Sequence, residues 1–139
     1  MEKKKNELVN LVRKKKIEDR VFFVGFKKNI YSYMRKSDVL VMSSLWEEVG
    51  FVIVEAALCN TFVISSDCPN GPREFLDDGK NGILFKSNTE DELLKSFEKF
   101  SIMEQKEIYH KKMRLKKNAQ KYTIFQHYLK LNKILKIYE

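Results

Sequence analysis

The chain has 139 residues, 43% of them hydrophobic and 33% charged, enough to bury one core and too few for two ordinary domains. Its 27 basic and 19 acidic side chains give a net charge of +8, which suits a phosphate-rich ligand, an anionic membrane surface or a nucleic acid. No stretch is apolar enough to span a bilayer, the residues after Lys5 are too polar for an export segment, and Cys59 and Cys68 lack metal-ligand spacing. A cytosolic, reducing setting is therefore expected, with membrane touched only at its surface.

Residues 3 to 16 place Leu8, Leu11 and Val12 among lysines at helical spacing, which predicts a surface helix with one narrow apolar stripe. Val21-Phe22-Phe23-Val24-Gly25, a compact β-branched and aromatic run closed by glycine, predicts a buried strand. Asn29 can cap a short helix running through Met34. Asp38 to Met42 predicts a second buried strand and Thr61 to Ser65 a third, and the strands near 21–25, 39–42 and 62–65 are expected to be neighbours. Between the last two, Phe51 to Cys59 reads as helix in preference to strand, because it ends in Ala-Ala-Leu and is flanked by strands; Asn60 is its stop. Pro72 suits the first turn of another helix, Gly82 to Phe85 a short strand, and Asn88 the cap of a helix from about Thr89 to Phe100.

This alternation predicts an α/β fold: a Rossmann-like parallel sheet with helices on its faces, occupying residues 1–100. Residues 101–139 read as an all-helical tail with a break near Tyr122 and Thr123, its many lysines forming a solvated face. In such sheets ligands bind beyond the carboxyl ends of the strands, so the loops after Gly25, Met42 and Ser65 matter most. The middle loop, Ser43 to Gly50, runs straight into the apolar helix. A glycine there lets an anion approach the free amides of Gly50, Phe51 and Val52, with the helix dipole in its favour. Glu55 has Phe51, Val52, Leu58 and Cys59 as helical neighbours, so its carboxylate needs a partner, either a buried salt bridge or a ligand. It lies about 7.5 Å along the helix axis from Gly50, comparable to the reach from a nucleotide diphosphate to its ribose hydroxyls.

Glu47, seven intervening residues and Glu55, with Gly50 between and Ala56 after, resemble the two-glutamate motif of the retaining glycosyltransferases of family 4, which adopt the two-lobed GT-B fold. Gly71-Pro72-Arg73-Glu74 resembles the glycine-proline-x-glutamate loop of that family, Asp78 to Leu84 its next glycine-bearing turn, and Val21 to Gly25 an earlier strand. The resemblance implies the donor-binding half of a GT-B enzyme, lacking its opening strand and its acceptor-binding lobe, and inactive alone. Glu47 would act catalytically beside the donor sugar and Glu55 would bind the ribose. Gly50, Phe51 and Val52 would offer amides to the diphosphate, with Gly25 near the base and Asn70 and Gly71 lining the donor cleft.

The implied donor is a nucleotide-diphosphate sugar, transferred with retention to an acceptor hydroxyl in surface-polysaccharide or glycolipid assembly. No cofactor, metal or nucleic acid is expected; the missing N-terminal acceptor lobe and an anionic membrane at the inner face are the other expected partners. Glu48 and Val49 depart from the glycine and aromatic found there in many members, which leaves the sugar open. A non-catalytic nucleotide-sugar-binding module, or an inactive fragment of a split enzyme, is the alternative. Trp46 either braces the loop or stacks on ligand, and His110 and His127 read as surface residues.

Overall fold

The computed structural model describes residues 2–135. The elements in chain order are α1 (Glu2–Lys15), α2 (Tyr31–Lys36), β1 (Val39–Met42), α3 (Phe51–Leu58), β2 (Phe62–Ser66), α4 (Pro72–Phe75), β3 (Ile83–Phe85), α5 (Glu90–Ser101), α6 (Gln105–Ala119), a 3-10 turn (Gln120–Tyr122) and α7 (Ile124–Leu135). The three strands form one parallel sheet in the order β1-β2-β3, with Val39 opposite Phe62 and Ile64 opposite Ile83. All five residues of the central strand β2 are buried, as expected for a parallel strand covered on both faces.

Alternation along β2 divides the core. Val63 faces a cluster with Ile53, Ala56 and Ala57 of α3, Phe75 of α4, and Leu115 and Ala119 of α6. Phe62 and Ile64 face the other side with Ile83 and Phe85, packed by Leu93, Phe100 and Ile108. The run Phe51 to Leu58 is helix because that conformation buries Ile53, Val54, Ala56 and Ala57 together against the sheet. Asn60 ends it in a left-handed conformation (φ 62°). The Thr61 amide returns to the Ala56 carbonyl and the Asn60 amide to the Ala57 carbonyl, each at 3.0 Å, which is the Schellman pattern.

Three expectations are corrected. Val21 to Gly25 is not a strand of the sheet, and the third neighbour is β3. Phe22 is 75% exposed and Phe26 92%: strand propensity becomes a strand only beside a hydrogen-bonding partner, and among the described residues none lies there. Asn88 is not the cap of α5; it turns left-handed (φ 60°) and delivers Thr89 to that position in an extended conformation. The lysine-rich tail is not uniformly solvated. Leu115 and Ala119 are core residues, and Lys111 is drawn inward, with 14% of its side chain exposed.

The Lys111 amine donates to the carbonyls of Gly79 (3.0 Å), Lys80 (3.3 Å) and Gly82 (3.4 Å), binding α6 to the turn that precedes β3. Burial holds its pKa below the usual lysine value. Replacing Lys111 by methionine leaves those carbonyls without their donor and should cost about 1 to 3 kcal/mol. Chemical denaturation measures this, with the exposed Lys106→Met expected to change stability by less than about 0.5 kcal/mol.

Candidate functional site

The loop leaving β1 is built around Glu47. At its start the Ser66 hydroxyl, at the carboxyl end of β2, donates to the Ser44 carbonyl at 2.6 Å. The Ser44 hydroxyl in turn donates to Glu47 Oε1 at 2.5 Å. At the loop's end Gly50 is left-handed (φ 74°), a conformation that glycine adopts at no steric cost, and a Cβ there would lie 3.8 Å from Glu47 Cγ. The stem of Glu47 thus rests against the start of α3. Gly71 brings in the loop after β2: a Cβ at that position would stand 1.9 Å from the Val49 carbonyl oxygen. Asn70, exposed and left-handed (φ 67°), precedes it.

No side chain caps α3 at Gly50, so the amides of Phe51 and Val52 keep the free donors of a helix N-terminus. The Phe51 ring lies 6.5 Å from that of Phe75, whose own ring meets Tyr122 edge-on at 4.7 Å. Further along the helix Glu55 is half-buried, where its apolar helical neighbours had implied a closed environment; Phe51 and Leu58 are themselves 53% and 45% exposed. Its partner is the Tyr31 hydroxyl, which donates to Oε1 at 3.3 Å, and the Glu55 charge raises the tyrosine pKa. Gly25 stands apart: it is left-handed (φ 62°) in an exposed run, and a Cβ there would meet nothing within 4 Å.

The structure therefore gathers Glu47, Gly50, Phe51, Val52 and Gly71 at the carboxyl end of the sheet, with Glu55 on the same helix. Ser44, Ser66 and Tyr31 were missed from sequence. Ser44 had a signal, the Ser-x-x-Glu spacing to Glu47 that lets a hydroxyl reach a carboxylate three residues on; Ser66 and Tyr31 had none. Trp46 is 61% exposed. Among the described residues no group of three or more His, Cys, Asp or Glu is placed to hold a metal ion.

A groove of about 410 Å³ runs past Phe51, lined also by Lys121, Tyr122, Ile124, His127 and Lys130. Beneath it the Tyr122 hydroxyl donates to Glu74 Oε1 at 2.5 Å, tying the 3-10 turn to α4. Burial, then the hydrogen bond and charge of Glu74, push the Tyr122 pKa up to about 12. A tyrosine whose pKa is higher folded than unfolded stabilises the fold below the unfolded value near 10 and loses that contribution as pH rises towards 12. The melting temperature should fall across this window more steeply in the parent than in Tyr122→Phe. Parallel pH curves for the two proteins would contradict the assignment.

The profile of the glycosyl transferases group 1 family matches residues 1–122. The chain belongs to that family. An uncharacterized glycosyltransferase of Methanocaldococcus jannaschii is 40% identical over 72 residues, covering 52% of this chain and 18% of its own length. The N-acetylgalactosamine-N,N'-diacetylbacillosaminyl-diphospho-undecaprenol 4-alpha-N-acetylgalactosaminyltransferase of Campylobacter jejuni is 30% identical over 89 residues, 64% of this chain and 24% of that enzyme. Anabaena HepE in complex with UDP superposes with a TM-score of 0.82 at 25% identity, covering 94% of this chain and 36% of that one. HepE is also known in complex with UDP-glucose. A Rickettsia africae glycosyltransferase matches at a TM-score of 0.83 and 18% identity, a likeness of fold. This group 1 chain thus has the Rossmann-like fold of one half of a GT-B glycosyltransferase and spans 18% and 24% of the two curated relatives named.

Proposed function

We propose that the chain is the donor-binding lobe of a retaining, family 4 glycosyltransferase that takes a nucleotide-diphosphate sugar. One observation carries this reading: α3 begins uncapped at Gly50, with the Glu47 carboxylate held beside its first turn and Glu55 further along the same helix. The free amides of Phe51 and Val52 and the helix dipole stabilise the diphosphate as it leaves, Glu55 accepts hydrogen bonds from the ribose, and Glu47 faces the sugar. Gly71 and Asn70 border the cleft. Lys121 and Lys130, lining the groove at Phe51, add positive charge on that side. Protein dipoles do this work without a metal ion.

The Campylobacter jejuni relative, whose name specifies a diphospho-undecaprenol-linked sugar, supports assembly of a glycolipid or surface polysaccharide; work at the cytoplasmic face of a membrane is part of this proposal. In this reading the 139 residues bind donor without transferring sugar, the acceptor being held elsewhere. Titration of the purified chain with UDP, the nucleotide in the HepE complexes, tests it: saturable binding with no sugar transfer is expected. Turnover of UDP-glucose by the chain alone, or UDP binding that is undisturbed by mutation of α3, would overturn it.

A further inference from the structure

The loop from Ser43 to Gly50 is pinned at both ends. Ser66, fully buried at the end of β2, holds the Ser44 carbonyl at 2.6 Å, and the Gly71 backbone packs against the Val49 carbonyl. Between these pins Trp46 and Glu48 project into solvent, whereas Glu47 is half-buried and receives the Ser44 hydroxyl at 2.5 Å. A single serine therefore joins the buried strand to the carboxylate: its carbonyl accepts from Ser66, and its hydroxyl donates to Glu47. We propose that Ser44 is a positioning residue for Glu47, anchored by Ser66, so that the carboxylate meets the donor sugar in one orientation.

The physical case rests on what the bond adds. A free glutamate side chain samples many rotamers, and a charge-assisted hydrogen bond to a fixed donor removes that freedom before the ligand arrives. Oε1 is taken by Ser44, and among the described residues no hydrogen bond occupies Oε2, which is left to a sugar hydroxyl. A strut serving the loop alone would not need the carboxylate, because Ser66 already secures the backbone through the Ser44 carbonyl.

This inference rests on the reading of Glu47 above, and the experiment separates the two. The chain, Ser44→Ala, Ser44→Thr and Glu47→Gln are titrated with UDP and with UDP-glucose, and the Glu47 side-chain rotamers are followed by NMR scalar couplings without ligand. The expectation is a single rotamer in the parent and in Ser44→Thr, averaged couplings in Ser44→Ala, and about fivefold weaker UDP-glucose binding in Ser44→Ala at unchanged UDP affinity. Averaged couplings in the parent, or couplings unchanged in Ser44→Ala, overturn the positioning role whether or not either probe binds. If Glu47→Gln leaves the ratio of UDP-glucose to UDP affinity unchanged, the sugar-facing reading of Glu47 fails instead. A drop in affinity for both probes in Ser44→Ala, not restored by threonine, assigns Ser44 to loop structure only and also overturns the proposal.

Discussion

Glu55→Gln should weaken UDP binding by about 1.5 to 3 kcal/mol, roughly 10- to 150-fold, because an uncharged amide replaces the carboxylate proposed to accept from the ribose hydroxyls. The fold should survive: the Tyr31 hydroxyl, now 3.3 Å from Glu55 Oε1 in an exposed contact, can still donate to the amide oxygen. Glu47→Gln, with Glu47 proposed to face the sugar, should leave UDP affinity within about twofold and weaken only the sugar conjugate. Calorimetry on both variants with both ligands reads the contrast directly. Parent-like UDP affinity in Glu55→Gln would return Glu55 to a structural role, bridging α3 to α2 through Tyr31.

Gly71→Ala is expected to be the most damaging single methyl near the site. The new Cβ would stand 1.9 Å from the Val49 oxygen and 2.9 Å from the Val49 carbon, backbone atoms that cannot turn aside. The backbone there, at φ 126°, also lies in a region costly for any residue with a side chain. Together these should cost at least about 3 kcal/mol, with the loops 43–50 and 67–71 forced apart and UDP binding lost as well. Gly25→Ala is the control: φ is also positive, but a Cβ there meets nothing within 4 Å, so its cost should stay near 1 to 2 kcal/mol of backbone strain. Equal melting temperatures for Gly71→Ala and the parent would show that the two loops are not in contact.

Much of the candidate site was visible as spacing. Glu47, Gly50 and Glu55 belong to one loop and the helix that follows, so their relation along the chain is also their relation in space. Apart from the Ser44 to Glu47 bond, the contacts that hold them were not visible, since they join residues far apart in sequence: Ser66 to Ser44 across 22 positions, Tyr31 to Glu55 across 24. Gly25, placed beside the base by resemblance to a strand, sits in a run that is exposed and unpaired with the sheet.

The sequence by itself determined, to within a residue at their ends, the strands at Val39–Met42, Phe62–Ser66 and Ile83–Phe85 and the helix at Phe51–Leu58, because compact apolar runs, a left-handed asparagine and a helix-opening glycine act locally. Only the tertiary structure decided that one further strand-like run would stay unpaired and which charges went inward. Val21 to Gly25 has the composition of a strand but pairs with no neighbour, since a ladder is a property of two segments. Lys111 looks like one more solvated lysine until α6 docks on the core and brings its amine to three carbonyls 29 to 32 positions earlier. Burying a charge is favourable only when such partners converge, and no local pattern records their convergence.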